Sequence, residues 1–261
     1  MRADLYLVEN GYVKSRTAAR KYIEQGHALL DGNVITKPSQ EVSDAEHTVE
    51  IVQPDRYVSR GGLKLEGALR TFEIDVTGMR AADIGASTGG FTDCLLQSGA
   101  AHVYAIDSGR DQLDPDLILD ARVTCMESVN ARYLTPEQLD GEVDIVVMDV
   151  SFISQTLILP AVSRLLRDGG VFVGLIKPQF EAGRAALDKH GIVKRSKDRR
   201  VAVERVLDAA AECDLALCGI TASPIEGGDG NVEYLAYYIK GAQNGCARHP
   251  VVDKLFASEG K

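Results

Sequence analysis

The most informative segment of this chain is Ala82-Asp83-Ile84-Gly85-Ala86-Ser87-Thr88-Gly89-Gly90-Phe91-Thr92. It predicts a hydrophobic strand that runs into a glycine turn and then into a helix. Because Gly85, Gly89 and Gly90 carry no Cβ, backbone N–H groups of the turn can approach a ligand closely. The turn lacks the pattern of a phosphate loop, and its glycine spacing differs from that of a dinucleotide site. A purely structural turn and a site for another kind of ligand both fit it.

Two acidic residues indicate which ligand the glycine turn would bind. Asp83 opens the turn, and Asp107 follows the next predicted strand, residues 102–106. A carboxylate accepts hydrogen bonds from hydroxyl groups, so this pair suits a cofactor that is rich in hydroxyls and carries no phosphate. S-adenosylmethionine is the commonest cofactor of that description, and it is therefore the candidate ligand.

The size and composition of the chain predict a globular protein of the cytoplasm. Its 261 residues, of which 45% are hydrophobic, suffice for one good core and a smaller second one. No apolar run approaches the roughly 20 residues that cross a bilayer, and the first residues lack the core of a signal peptide. We therefore expect no membrane partner.

The cysteines predict neither disulfides nor a metal site. Five are present, an odd number, with no Cys-x-x-Cys pair and no adjacent histidine. Free structural thiols in a reducing compartment are the default for such a set. The five are Cys94, Cys125, Cys213, Cys218 and Cys246.

The charge of the chain is acidic overall but uneven. A net charge of −9 argues against a protein that coats nucleic acid non-specifically. Two basic segments, residues 14–21 and 184–200, nevertheless stand out. They indicate either docking to a specific polyanion or ordinary solvated faces of helices.

The first 58 residues predict a small α/β domain. Residues 4–10 resemble a short helix, and Ser15 is placed to cap a second helix that runs through residue 25. Residues 28–35 predict a hairpin around an Asp-Gly turn, and residues 48–52 predict a further strand. A domain of this size has a thin core.

The rest of the chain predicts a larger α/β domain over residues 59–245, followed by a flexible tail over residues 246–261. Strands and helices alternate from residue 79 onward, which implies a mainly parallel sheet that is covered on both faces. Ligands of such sheets bind at the carboxyl ends of the strands. The seven predicted strands span residues 81–84, 102–106, 123–126, 143–148, 171–176, 215–221 and 232–239, and the main helices residues 91–98, 155–166 and 196–213.

Four charged residues at the ends of separate elements are the candidate catalytic group. They are Lys64, Asp149, Lys177 and Glu233. Lys177 ends an apolar strand, and burial there disfavours the charged form of a lysine, so Lys177 could act as a base. Any one of the four is more often part of a structural ion pair, but four around one glycine turn favour a catalytic site.

The pattern Leu5…Gly11-Tyr12…Ser15-Arg16…Ala19…Ile23…Gly26…Asp31-Gly32 resembles the S-four-like domain, a small RNA-binding module. In that family the second helix presents basic side chains to folded RNA. The resemblance implies that Arg16, Arg20 and Lys21 contact RNA, with Lys14 and Lys37 beside them. In the second domain, the basic residues Arg60, Lys194 and Arg195 are further candidates.

The whole chain to about residue 240 resembles the TlyA family of ribosomal RNA methyltransferases, which have an FtsJ-like catalytic domain. The matching motifs are Ser59-Arg60-Gly61-Gly62-x-Lys64, the glycine turn, Asn130-Ala131-Arg132, Asp149-x-Ser151-Phe152, Lys177-Pro178-Gln179-Phe180 and Gly230-Asn231-x-Glu233-Tyr234. The resemblance implies a Rossmann-like fold with a seven-stranded sheet. It also implies methyl transfer from S-adenosylmethionine to a ribose 2′-hydroxyl of ribosomal RNA, with a cytidine as the target.

The resemblance assigns roles to the candidate residues. Lys177 is the base, Asp149 assists it, and Lys64 and Glu233 position the target ribose. Asp107 binds the ribose hydroxyls of the cofactor, and Asn130 lies near its adenine. The full set of cofactor candidates is Asp83, Gly85, Ala86, Ser87, Gly89, Gly90, Phe91, Asp107, Asn130 and Asp149.

Two other functions remain open at this stage. A non-catalytic ribosome-assembly factor would use the same fold only to bind RNA. A pore-forming protein is suggested by the older name of the family, hemolysin A, but we find no amphipathic or apolar membrane segment. The expected partners are ribosomal RNA and ribosomal subunits, with a monomer favoured.

Overall fold

The computed structural model describes residues 1–24, 26–43, 47–52, 56–227, 230–243, 245 and 248–258. The chain divides into two compact units, Met1–Arg56 and Tyr57–Lys261. The boundary predicted from the sequence, near Val58, lies close to this division.

The first unit contains two helices and a three-stranded antiparallel sheet. Ser15 caps the second helix, because its Oγ accepts a hydrogen bond of 3.2 Å from the amide of Ala18. In the hairpin, Leu30 pairs with Asn33 across the two-residue turn Asp31-Gly32, and both turn residues have positive φ, as a type I′ turn requires. The elements are α1 (Ala3–Glu9), α2 (Arg16–Glu24), β1 (Ala28–Leu30), β2 (Asn33–Val34) and β3 (Val49–Ile51), with the strand order β2-β1-β3.

The second unit is built on a seven-stranded sheet, as predicted. Six strands are parallel, whereas β10 runs antiparallel to both of its neighbours. The order across the sheet is β6-β5-β4-β7-β8-β10-β9. The strands are β4 (Arg80–Ile84), β5 (His102–Ile106), β6 (Val123–Met126), β7 (Val143–Met148), β8 (Leu166–Ile176), β9 (Leu215–Ala222) and β10 (Tyr234–Lys240).

Both faces of this sheet are buried. Ile145 and Val147 of β7 belong to one hydrophobic cluster and Val146 and Met148 to another, because successive side chains of a strand point to opposite faces. The α-helices of the unit are α3 (Gly61–Thr71), α4 (Gly90–Gln97), α5 (Pro115–Ile118), α6 (Leu159–Leu165), α7 (Pro178–Glu181), α8 (Ser196–Glu212) and α9 (Arg248–Ser258).

The helix predicted over residues 155–166 is shorter than expected. Gln155–Leu157 form one turn of 3-10 helix, and α6 begins only at Leu159. Pro160 favours this late start, because proline fits the first turn of a helix and not its interior. Strand β8 then begins at Leu166, earlier than the predicted residue 171, because Leu166 already pairs with Val143 of β7.

The expectation of a flexible tail is wrong for residues 248–258. These residues form α9, in which Val252 and Phe256 are buried against the core of the second unit. The two lie four positions apart and therefore share one helix face. The ring of Phe256 lies 5.4 Å from that of Tyr234, and Asp253 pairs with Arg200 at 2.6 Å. Residues 246, 247 and 259–261 lie outside the described part.

This packing predicts that Phe256→Ala lowers the free energy of unfolding by about 3 kcal/mol, the usual effect of removing a buried aromatic ring. Urea unfolding followed by circular dichroism measures the change. Lys254→Ala alters the exposed face of the same helix and should change the free energy by less than about 0.5 kcal/mol. Equal stability of the two variants would contradict the burial of α9.

Candidate active site

The glycine turn after β4 needs its glycines for both conformation and space. Gly85 and Gly89 have φ of 86° and 95°, which favour glycine. A Cβ on Gly85 would overlap the carbonyl oxygen of Asp149, and one on Gly89 would overlap the side chain of Leu117. The turn is therefore packed tightly against its neighbours, and α4 begins directly after it at Gly90.

Asp83 lies beneath this turn and not in a cavity. Its side chain is fully buried, and its Oδ2 accepts a hydrogen bond of 2.7 Å from Oγ1 of Thr92 in α4. Its Oδ1 has no hydrogen-bond partner among the described residues. Burial raises the pKa of Asp83 to about 7. Asp83 thus joins β4 to α4 through Thr92, and it lines neither of the two cavities described below. A contact of Asp83 with a cofactor stays a prediction.

A cavity of about 680 Å³ opens where β4, β5 and β7 end. Five of the predicted cofactor residues line it: Gly85, Ser87, Asp107, Asn130 and Asp149. The mixture of aliphatic walls with a few polar groups is typical of a small-molecule site. The other residues of its lining are Ile84, Ile106, Ser108, Gly109, Gln112, Val129, Ala131, Val150, Ser151, Phe152, Ile153 and Ile158.

Asp107 and Asn130 stabilise loops that line the larger cavity, because their side chains accept hydrogen bonds from backbone amides. The Oδ2 of Asp107 accepts a hydrogen bond of 2.8 Å from the amide of Ser87, and its Oδ1 accepts one of 2.7 Å from the amide of Gly109. Asn130 caps a 3-10 turn by accepting a hydrogen bond of 3.2 Å from the amide of Arg132. Each carboxylate oxygen of Asp107 can accept a second hydrogen bond, so it could also bind ligand hydroxyls.

A second cavity of about 290 Å³ adjoins the first. The two share Gly85, Ser87, Asp149 and Ser151, and we refer to the border that these four residues form as the passage. The rest of the lining of the smaller cavity includes the predicted Lys64, Lys177, Arg60, Ala86, Gly90 and Phe91, together with Ser59, Gly61, Thr88, Ile225 and Glu226.

Lys177 and Asp149 form an ion pair at the edge of the sheet. Lys177 follows β8, Asp149 follows β7, and these parallel neighbours end at the same edge. The Nζ of Lys177 lies 2.5 Å from Oδ1 of Asp149 and donates a hydrogen bond of 3.0 Å to Oγ of Ser151. The two charged side chains are only 12% and 18% exposed. The ion pair is therefore partly shielded from solvent.

Lys64 and Glu233 form a second pair. The Nζ of Lys64 in α3 lies 2.5 Å from Oε2 of Glu233, and the side chains are 10% and 2% exposed. Glu233 reaches this edge because β10 is antiparallel, so that its first residue, Tyr234, pairs with Ile176 at the end of β8. Lys64 faces the smaller cavity, and Glu233 lies behind it.

Sequence reasoning did not assign roles to several residues at this site. Ser151 contacts Lys177, while Ser59 and Glu226 line the smaller cavity. Phe152 lines the larger cavity with its side chain 92% exposed and with φ of 63°, an unusual value for a bulky residue. The signal that could have identified Phe152 in the sequence is an aromatic residue three positions after Asp149.

The basic residues predicted to contact RNA have different surroundings. In the first unit, Arg16 and Arg20 are half-exposed, and both pair with the buried Asp4. Lys14 and Lys37 are exposed as well, and Lys21 is half-buried.

In the second unit, Arg60 lines the smaller cavity. Lys194 pairs with Asp188 at 2.9 Å and Arg195 with Asp198 at 2.6 Å, and both basic side chains remain largely exposed.

Metal-binding groups and helices that could cross a membrane are both missing from the part of the chain that the structure describes. No group of three or more metal-ligating side chains was found in this part of the chain. Nor does any helix formed by these residues have the length and apolar character needed to cross a membrane. Cys94, Cys125, Cys213 and Cys218 are free thiols, and Cys246 lies outside the described residues.

Comparison with known protein families covers both units. The model of FtsJ-like methyltransferases matches residues 57–240, and the model of the S4 domain matches residues 1–49.

Individual relatives match over most of their length. The 16S/23S rRNA (cytidine-2′-O)-methyltransferase TlyA of Mycobacterium tuberculosis is 44% identical over 237 residues, which are 90% of this chain and 88% of that protein. Hemolysin A of Brachyspira hyodysenteriae is 41% identical over 240 residues, 92% of this chain and 100% of that protein. A solved structure described as a "putative hemolysin" from Streptococcus thermophilus has a TM-score of 0.79 and 39% identity, and covers 100% of this chain and 95% of its own.

The burial of Asp83 predicts a specific pH dependence of stability. Asp83 keeps its proton up to about pH 7 in the folded chain, whereas an aspartic acid in an unfolded chain ionises near pH 4. Its contribution to the free energy of unfolding is therefore complete below about pH 4. It is lost as the pH rises toward 7, by about 1.4 kcal/mol per pH unit.

Urea unfolding between pH 5 and 8 tests this expectation. Asp83→Asn removes the titration, so the stability of the wild type relative to this variant should fall between pH 5 and 7 and then stay constant. Asp111→Asn removes an exposed carboxylate and should follow the wild type at every pH. A constant difference between wild type and Asp83→Asn would show that Asp83 is already ionised.

Proposed function

Because this chain belongs to the FtsJ-like methyltransferase family, we propose that it transfers a methyl group from S-adenosylmethionine to a ribose 2′-hydroxyl of ribosomal RNA. The observation that carries the proposal is the position of Lys177. Its Nζ lies beside Asp149, which stands at the passage between the two cavities. A cofactor in the larger cavity and a ribose in the smaller one would meet at this passage.

The residues of the larger cavity fit S-adenosylmethionine. Gly85 allows the turn to pack closely against the carbonyl of Asp149 at one side of the cavity. The aliphatic walls formed by residues such as Val129 and Ile153 suit an adenine ring. Asp107 could accept hydrogen bonds from ribose hydroxyls, and Asn130 lies near them. When bound, the cofactor supplies an electrophilic methyl group on a sulfonium centre. The carboxylate of Asp149 would face that positive charge.

Lys177 acts as the general base. A ribose 2′-hydroxyl is a poor nucleophile at neutral pH, so its proton must leave as the oxygen attacks the methyl carbon. A carbon–oxygen bond forms, the carbon–sulfur bond breaks, and the proton passes to the neutral form of Nζ of Lys177. Asp149 and Ser151 then stabilise the ammonium ion through the contacts described above. They also fix the direction of Nζ before the substrate arrives.

Lys64 positions the target ribose. Its Nζ faces the smaller cavity, and the buried Glu233 holds it there at 2.5 Å. Removing either partner would leave a buried charge without compensation, which is strongly unfavourable. We therefore assign to Glu233 a positioning role that it performs through Lys64.

The RNA substrate would be held by several exposed groups. Phe152, beside the passage, offers its ring for stacking on an unpaired base. Arg60 lies in the smaller cavity, where it could pair with a phosphate of the RNA. A cytidine as the target, ribosomal subunits as partners, the cytoplasm as the compartment and a monomeric state belong to this proposal.

The proposal predicts that Lys177→Met lowers kcat for methyl transfer by at least about 100-fold, since a positioned base contributes that much or more. Transfer of tritiated methyl groups to ribosomal subunits from cells that lack this protein measures the loss. Lys189→Met removes an exposed lysine and should leave kcat unchanged. If Lys177→Met keeps most of its activity, another group is the base. If the wild type binds these subunits but transfers no methyl group, the chain is a non-catalytic RNA-binding factor.

The stacking role predicts that Phe152→Leu raises KM for RNA by about 5- to 150-fold, which corresponds to the roughly 1–3 kcal/mol of one stacked base. Leucine fills similar space without an aromatic face, whereas Phe152→Tyr retains the face and should restore KM. Because Phe152 also lines the larger cavity, the affinity for S-adenosylmethionine is measured separately by isothermal titration, and KM for RNA is determined at a saturating concentration of the cofactor. An unchanged KM in Phe152→Leu would argue against stacking.

A further inference from the structure

Three guanidinium groups of the first unit converge on one buried carboxylate. Arg2 donates to Asp4 through Nε at 2.9 Å and through Nη2 at 3.1 Å. Arg16 and Arg20 each donate through Nε to Oδ2 of Asp4, at 2.9 and 3.2 Å. The side chain of Asp4 is completely buried, whereas the three arginines are 41%, 47% and 50% exposed. We refer to these four residues as the Asp4 cluster.

The backbone around Asp4 leaves its carboxylate available for this purpose. Asp4 lies in the first turn of α1, where an acidic side chain often caps the free amides of the helix. Here the amide of Ala3 donates to the carbonyl of Gln40 at 2.8 Å, and that of Asp4 to the carbonyl of Pro38 at 3.1 Å. Because main-chain carbonyls accept hydrogen bonds from both amides, the carboxylate of Asp4 does not cap the helix and instead accepts hydrogen bonds from the arginines.

All four side chains of the Asp4 cluster are ionised. The hydrogen bond from Arg2 contributes most to holding the pKa of Asp4 well below its usual range; burial opposes this shift, and Arg16 and Arg20 reinforce it. Asp4 therefore carries a negative charge at any physiological pH. One carboxylate against three guanidiniums leaves a formal charge of +2, concentrated at one place in a chain whose net charge is −9.

The remaining donors of Arg16 and Arg20 belong to side chains that are about half-exposed. Within the part of the chain that the structure describes, Arg16 and Arg20 bind Asp4 through Nε, and their Nη groups donate to no other residue. A guanidinium is a rigid planar fork, so fixing its inner nitrogen fixes the direction of the outer ones. Two such forks, one helical turn apart on α2, present N–H groups suited to the oxygens of a phosphate.

We propose that Asp4 is a positioning residue for RNA binding: it orients the three arginines so that together they form one site for backbone phosphates. This inference rests on the proposed RNA substrate. Immobilising a long arginine side chain costs conformational entropy, and in the Asp4 cluster that cost is met when the unit folds. Without Asp4 the guanidiniums would repel one another and lose their common orientation.

The effect of removing the charge of Asp4 distinguishes positioning from bulk electrostatics. Asp4→Asn makes the protein more positive by one charge, so a purely electrostatic account predicts tighter RNA binding. Positioning predicts weaker binding, by about 5- to 10-fold, because asparagine cannot hold three guanidiniums. Glu9→Gln makes the same charge change at an exposed site of α1 and should bind RNA as well as the wild type or slightly better.

The affinity of the full chain for a ribosomal RNA transcript, measured by filter binding at several salt concentrations, provides the test. Circular dichroism shows whether Asp4→Asn retains the fold. The proposal is overturned if a folded Asp4→Asn variant binds RNA as tightly as Glu9→Gln or more tightly.

A second pair of substitutions decides the question if Asp4→Asn fails to fold. Arg16→Lys and Arg20→Lys keep the charge at half-exposed positions, but a lysine lacks the planar fork. Together they should weaken RNA binding several-fold with an unchanged salt dependence, since the number of charges is the same. Unchanged affinity in this double variant would also overturn the proposal.

Kinetics separate this inference from the proposed function. Each variant of the Asp4 cluster should raise KM for RNA and leave kcat for methyl transfer at its wild-type value. A change confined to kcat would overturn the positioning role. If the wild type transfers no methyl group at all, the proposed function fails, while the binding measurements still decide the role of Asp4.

Discussion

The ion pair between Lys177 and Asp149 depends on one constraint, that parallel strands bring their carboxyl ends to the same edge of a sheet. Lys177 and Asp149 lie far apart in the sequence, yet each follows the last residue of one of two neighbouring strands. The antiparallel β10 extends the same principle, because its first residues, with Glu233 before them, arrive at that edge from the opposite direction. The two cavities exist where these strand ends and the glycine turn leave space.

Desolvation of charged groups has three different outcomes in this chain. Asp83 has a single neutral hydrogen-bond donor, Thr92, so burial favours its protonated form. Asp4 is equally buried, but the arginines around it keep it ionised. Lys177 and Asp149 form an ion pair that lines a cavity. Such a pair can contact a substrate, whereas the fully buried carboxylates of Asp83 and Asp4 contact other side chains of the protein.

Local sequence patterns predicted much of the architecture because they report local physics. The Asp31-Gly32 turn, the cap at Ser15 and the approximate positions of the seven strands of the second unit were each indicated by residues close together in the sequence. The errors arose where distant contacts override local preference. Residues 248–258 have a weak pattern, yet Val252 and Phe256 find a core to pack against. Asp83 stands in a motif typical of cofactor binding, but its side chain is fully buried and accepts a hydrogen bond from Thr92 of α4.

Hydrophobic periodicity and residue type were enough to predict the fold class, the glycine turn and the set of charged residues at strand ends. The pairing of those charges could be read from the folded chain and not from the sequence. Lys177 with Asp149, Lys64 with Glu233 and three arginines with Asp4 are contacts between separate elements. These pairings depend on strand order, on strand direction and on helix packing, which no local sequence pattern specifies. Pairing lowers the cost of burying each charge, and that cost depends on the whole folded unit.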